Sequence, residues 1–340
     1  MASDQQILKI GLVGLGWFGT KWARLIAQTT GVELTAICSR SAERGHEIAN
    51  QYDKPTVYQD YHQLVERDDL DAVCVLTEVN RHAEVTMAAL ACDKHVYVEK
   101  PLSTNLSDHD DIIQLAQQRA RTVLVGYNNR YTPMLVELKA RINRGELGQI
   151  VSIASRRNCC QSILSLPRYQ GAEVPPLIIE PGIHTSDLFI WLTGSRPQRI
   201  YAHKRSISGR SVADTWMALV VMGDGTCGTM EQVWHVPQNA PMVMDRRIEV
   251  IGTKATAEIA DQRGDHYVWG ETIEHLNPIA SVDMYGRFVW PGFSEQFSDF
   301  IDSIRNHRTP HGASPGDSRA AVELALGIVQ SAQTGEVVCL

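Results

Sequence analysis

The sequence predicts a two-domain α/β chain. Residues 1–125 should build a parallel sheet with crossover helices, and residues 126–340 an α+β domain on a large, mainly antiparallel open sheet. Three observations carry this prediction. Short apolar runs alternate with helix-like segments up to Val125, the alternation then gives way to β-rich runs, and 340 residues exceed what one hydrophobic core usually spans.

The first domain reads as strands at Ile7–Val13, Leu34–Cys38, Ala72–Leu76, His95–Val98 and Val123–Val125, with helices at 18–29, 42–51, 81–92 and 108–120 between them. That rhythm describes a parallel sheet with crossover helices. The first strand runs into GLGWFG, placing Gly14, Gly16 and Gly19 at a strand-to-helix turn. This is the setting of a Rossmann dinucleotide-binding domain. The glycines allow a tight turn, backbone approach to a pyrophosphate and close helix–strand packing, and the helix N-terminus supplies amide donors. Ser41 is placed to cap the helix that follows the second strand.

In the second domain a helix is expected at 133–144, a strand near 149–157, a helix at 182–193 and several strands between Gln198 and Tyr267. Gly223-Asp224-Gly225 and Gly252-Thr253-Lys254 are hairpin signals. Two helices, 294–307 and 316–331, follow a Pro/Gly-containing loop and are separated by HRTPHGASPG.

Composition narrows the function. Apolar residues make up 44%, charged residues 21% and aromatics 7%, as in a folded globular protein. A net charge of −7, from 32 basic against 39 acidic residues, argues against nucleic acid as a partner. No apolar run is long enough to span a bilayer and no secretory leader opens the sequence, so a cytoplasmic protein without membrane contact is expected. The seven cysteines form no CxxC, and the vicinal Cys159–Cys160 pair lacks spaced partners, so no metal site is expected.

Three constellations carry chemistry. At the carboxyl end of the strand HVYV stand Glu99, Lys100 and Pro101, where ligands of parallel sheets gather, so the Lys100 ammonium can stand beside a nicotinamide. In EPGIHTSD, Pro181 suits the first helical position, which would put Glu180, His184 and Asp187 in register on one face. In GYNNRYTP, Tyr127 to Tyr131 follow the last parallel strand. The end of the second strand reads Cys38-Ser39-Arg40-Ser41, without the usual carboxylate for a ribose 2′-hydroxyl. Arg40 ahead of a helix N-terminus would suit a 2′-phosphate, and Glu43 could instead reach a ribose, so NADP(H) is favoured and NAD(H) stays possible.

With GLGWFG at 14–19, TEVNRHAE at 77–84, DKHVYVEKP at 93–101, GYNNRY at 126–131 and the ExxxHxxD array at 180–187, the chain resembles the Gfo/Idh/MocA oxidoreductases over essentially its whole length. The resemblance implies catalysis by Lys100, His184 and Glu180. It implies a cofactor site of Gly14, Gly16, Trp17, Phe18, Gly19, Ser39, Arg40, Ser41, Thr77, Asn80, His82, Glu99 and Lys100. Lys100, Tyr127, Arg156, Asn158, Glu180, His184 and Asp187 would meet the substrate. Two departures stand out: Glu180 replaces the family's usual aspartate, and Glu78 a frequent proline.

The reaction so implied interconverts a secondary alcohol and a ketone on a sugar, cyclitol or related polyol by hydride transfer. His184 would be the acid/base and Lys100 would stabilise alkoxide character. Arg156, Arg157 and Arg168 could instead read a carboxylate or phosphate. A non-catalytic nucleotide-binding sensor and an NAD-dependent redox-assisted glycosidase are the alternatives. An open sheet in the second domain points to a homodimer or homotetramer joined through it.

Overall fold

The structure, a computed structural model, describes residues 7–165, 176–209, 212–237, 244–260, 265–269, 273–275 and 292–340. The opening alternation folds as β1 (Leu8–Val13), α1 (Trp17–Gln28), β2 (Val32–Cys38), α2 (Ala42–Ala49), β3 (Thr56–Tyr58), α3 (Tyr61–Val65), β4 (Ala72–Val75), α4 (Val79–Ala91), β5 (His95–Val98), α5 (Leu106–Arg119) and β6 (Val123–Val125). Among the described residues these strands form a six-stranded parallel sheet in the order β3-β2-β1-β4-β5-β6. The order reverses beside β1, so the crevice for a ligand opens at the carboxyl ends of β1 and β4. Short β3 and α3, in a stretch rich in Asp, were not among the expected elements.

The chain continues as α6 (Pro133–Asn143), β7 (Ile150–Cys159), α7 (Ile183–Thr193), β8 (Pro197–Arg205), β9 (Thr215–Met222), β10 (Cys227–Val233), β11 (Met244–Gly252), β12 (Thr256–Ala260), β13 (Asp265–Trp269), β14 (Ile273–His275), α8 (Phe293–Arg305), α9 (Pro315–Thr334) and β15 (Val338–Cys339). A second sheet runs β14-β13-β12-β11-β7-β10-β9-β8-β15 and is antiparallel except for the β7–β10 pair. Both expected hairpins form: Thr226 carbonyl accepts from Met222 across the Gly-Asp-Gly turn, and Ala255 carbonyl from Gly252 across Gly-Thr-Lys.

Two compact units result: residues 1–127 with 293–319, and residues 128–292 with 320–340. The expected division at 125/126 lies close to the first crossing, but the chain crosses again, and the last crossing falls within α9. The reason lies in α8. Phe297, Phe300, Ile301 and Ile304 are buried among Ile10, Leu12, Ile37, Trp22 and Tyr97, and the Trp22 ring lies 4.1 Å from Tyr97 and 5.4 Å from Phe297. Burying each such side chain is worth about 1.5–3 kcal/mol, so α8 is part of that unit's core. Among the described residues no helix is long and apolar enough to cross a membrane.

Candidate active site

The glycine turn is built for close approach. Gly14 has φ 102°, a conformation side chains rarely adopt, and a Cβ there would lie 2.5 Å from the Leu76 carbonyl oxygen. A Cβ on Gly19 would lie 1.9 Å from the Gly14 carbonyl oxygen, so this glycine lets α1 sit on the turn. A Cβ on Gly16 would meet nothing within 4 Å. Gly16 is also the N-cap of α1 and has no side chain capping the helix, so the first-turn amides face that open space. Trp17 is more than half exposed with the Lys21 ammonium 3.4 Å above its ring, while Phe18 packs against Phe293. Partial burial lowers the Lys21 pKa.

Along the same edge, Thr77 and Glu78 follow β4, and Glu99 and Lys100 follow β5. His82, expected at the nucleotide, is almost fully buried in α4. Its Nδ1 lies 2.8 Å from the Pro101 carbonyl and its Nε2 3.0 Å from the Thr77 carbonyl. It braces the two turns that carry Thr77 and Lys100. Glu99 is likewise held from behind, by the Tyr97 hydroxyl at 3.0 Å. Asn80 is exposed in the first turn of α4. At the end of β2, Ser39 is buried, the Ser41 hydroxyl accepts from Arg44 N at 3.2 Å as the expected cap, and Arg40 reaches Glu78 at 2.6 Å.

In the other unit, α7 starts at Ile183 with Gly182 as its N-cap, so Pro181 stands before the helix rather than at its first position. Glu180 therefore lies in the turn, and the expected register holds only for His184 and Asp187. His184 is buried in the first helical turn, 9% exposed, and Glu180 is half-buried. Gly182 was missed by sequence reasoning, although the Pro-Gly dipeptide marks it. A Cβ there would lie 2.4 Å from the Ile178 carbonyl oxygen and 2.5 Å from Gln232 Nε2, so only glycine admits the turn that delivers His184.

Several residues expected at a substrate are engaged elsewhere. Asp187 is fully buried and accepts from Arg130, whose Nη2 lies 2.7 Å from Oδ1 and whose Nε lies 3.1 Å from each carboxylate oxygen, tying α7 to the turn at Asn128–Tyr131. Tyr127 is fully buried with its hydroxyl 3.4 Å from Ser318. Alternation along β7 sends Arg156 to the sheet's open face, where it pairs with Glu231 at 3.1 Å and Asp245 at 3.5 Å. Asn158 points the same way and stitches β7 to β10 through Glu231 and Val233. Arg157 points to the opposite face and lines a pocket with Asn129, Ser155, Thr185 and Arg246, its partner in the β7–β11 register. Arg168 lies outside the described residues. Burial pushes the Cys159 thiol up to about 11, the mark of a structural cysteine. Among the described residues no His, Cys, Asp or Glu cluster is arranged to hold a metal ion.

Residues 8–127 match the family description "Oxidoreductase family, NAD-binding Rossmann fold", and residues 135–258 match "GFO/IDH/MocA C-terminal domain". Inositol 2-dehydrogenase from Salmonella paratyphi B is 30% identical over 333 residues, 96% of this chain and 95% of that protein. The chain belongs to the Gfo/Idh/MocA family. It is an NAD-dependent oxidoreductase. Solved structures of the same fold include scyllo-inositol dehydrogenase from Lactobacillus casei with bound NAD(H) and scyllo-inositol (TM-score 0.82, 22% identity, 98% of this chain, 99% of that one). An oxidoreductase from Agrobacterium radiobacter in complex with NAD+, L-tartaric acid and magnesium has a TM-score of 0.88 at 19% identity, covering 98% of each chain.

Proposed function

We propose that this protein interconverts a secondary alcohol and a ketone on a sugar, cyclitol or related polyol by hydride transfer, using a nicotinamide dinucleotide. The observation that carries this reading is the glycine turn. Gly16 leaves open space before uncapped helix amides, on the same sheet edge where Lys100 follows a parallel strand. A pyrophosphate fits there, held by the turn from Gly14 to Gly19 and the first-turn amides of α1. When bound, the nicotinamide supplies the acceptor or donor of the hydride.

The chain's own residues then manage the proton and the charge. His184 takes the hydroxyl proton from the alcohol and returns it in the reverse direction, which an imidazole can do near neutral pH. Lys100 donates a charge-assisted hydrogen bond to the oxygen as alkoxide character develops. Glu180, one methylene longer than the family's usual aspartate, orients a substrate hydroxyl beside His184. Asp187 positions α7 through Arg130 rather than meeting the substrate.

The polyol class is supported by the inositol dehydrogenases among the relatives. A second reading, an acidic polyol, is favoured by one observation: Arg157 and Arg246 stand opposite each other and line one pocket, where a carboxylate would find two guanidinium groups. Association into a homodimer or homotetramer is supported by the open face of the second sheet, where Tyr201, Met217, Leu219 and Ile251 are exposed. The test is a panel of polyols, sugars and sugar acids mixed with purified protein and each cofactor, followed at the nicotinamide absorbance. Turnover on cyclitols or sugars is expected. Silence across the panel, with tight nucleotide binding, would replace the dehydrogenase by a sensor. Glycoside cleavage without net NAD(P)H would replace it by the redox-assisted glycosidase.

A further inference from the structure

β2 and β4 flank β1 on its two sides, so any side-chain bridge between their carboxyl ends passes over the end of β1, where the glycine turn begins. Such a bridge exists. Arg40, leaving β2, reaches across to Glu78, the N-cap of α4 after β4, with its guanidinium 2.6 Å from Glu78 Oε1. The neighbouring cations have carboxylates of their own: Arg44 pairs with Glu47 at 2.5 Å and Arg81 with Glu84 at 3.5 Å. Of these three pairs, only Arg40–Glu78 spans from the end of β2 to the end of β4.

We propose that Glu78 is the residue that selects NAD(H) over NADP(H), by occupying Arg40 and by presenting a carboxylate where a 2′-phosphate would have to enter. This rests on the dinucleotide reading above and reverses the expectation drawn from Arg40 alone. The end of β2 lacks the acid that normally accepts a ribose 2′-hydroxyl; Glu78 supplies that acid from the turn after β4, across the end of β1. A 2′-hydroxyl can donate to this carboxylate while Arg40 stays paired. A 2′-phosphate carries its own negative charge to the same place, repelled by Glu78 and competing with it for a single guanidinium. Removing the carboxylate charge releases Arg40, which then becomes the phosphate receptor that the sequence foreshadows.

Both side chains are more than half exposed, so substitution leaves the fold intact, which thermal melting verifies. The experiment measures dissociation constants for NAD+ and NADP+ separately by calorimetric titration, without substrate, on the parent protein, Glu78→Gln, and the Glu78→Gln/Arg40→Leu double variant. The parent is expected to prefer NAD+. Glu78→Gln should shift the NAD+/NADP+ affinity ratio toward NADP+ by about ten-fold or more, and the double variant should lose the NADP+ gain. A ratio unchanged within about two-fold in Glu78→Gln overturns the assignment of Glu78 while leaving the dinucleotide reading standing. A gain that persists in the double variant overturns the role of the pair. Failure of the folded parent to bind either nucleotide overturns the dinucleotide reading and this proposal together.

Discussion

In the six-stranded sheet β4 and β6 are buried at every residue, whereas β9 and β10 of the nine-stranded sheet alternate buried with more exposed side chains along their length. The difference decides where each unit can carry chemistry. A sheet closed on both faces leaves its strand ends as the place for a ligand, and there stand the glycine turn, Arg40, Glu78 and Lys100. A sheet with one covered and one open face sets the candidate acid/base, His184, on α7 and leaves apolar side chains exposed on its open face. Unit one is held by aromatic and aliphatic packing; unit two buries an ion pair, Arg130–Asp187, between α7 and the turn at Asn128–Tyr131.

The sharpest break of this contrast is Asp187→Asn. It removes the carboxylate charge that faces the buried Arg130 guanidinium and should cost about 3–5 kcal/mol of stability in denaturant titration; a loss near zero would mean that this ion pair does not hold α7. Next are the two side chains proposed to handle charge and proton, one in each unit. Lys100→Ala or His184→Ala should each lower kcat by about 10²-fold or more, with nucleotide affinity in calorimetry little changed. Near-normal kcat in either variant would remove that residue's role.

A smaller effect is pH-dependent and belongs to the closed sheet. Burial, with Arg121 nearby adding to it, pushes the His95 imidazole from 6.5 down to about 4, and its Nδ1 accepts a hydrogen bond from Thr122 N. The unfolded chain therefore takes up this proton first. His95 contributes stability above about pH 6.5, and that contribution is lost as pH falls toward 4. His95→Gln should flatten the fall in urea midpoint between pH 7 and pH 4; an unchanged slope would assign the acid sensitivity elsewhere. The smallest is Ser41→Ala, which removes the α2 cap and should cost about 1 kcal/mol.

Much of the first unit was legible because a parallel sheet writes itself as apolar runs between helices, and because glycines are required where a Cβ would strike a carbonyl, as at Gly14 and Gly19. β3 and α3 were not, since short elements among charged residues have too few positions to show a period. Lys100 and His184 stand out in the sequence as candidates because their motifs mark them. The fates of Tyr127, Asn158 and Asp187 do not, because a polar residue near a motif reads the same whether it faces a ligand or a protein partner.

From the amino-acid order alone came the fold class, the glycine turn, the Ser41 cap and the candidate reactive pair, since each depends on neighbours within a few positions of the chain. Tertiary structure alone decided that α8 completes the first core, that Arg156 turns away from the side of the sheet that Arg157 faces, that Asp187 answers to Arg130, and that Arg40 is met by Glu78. Those outcomes join residues far apart in sequence. Charge and packing act through distance in space, and that distance exists only once the strands have taken their order.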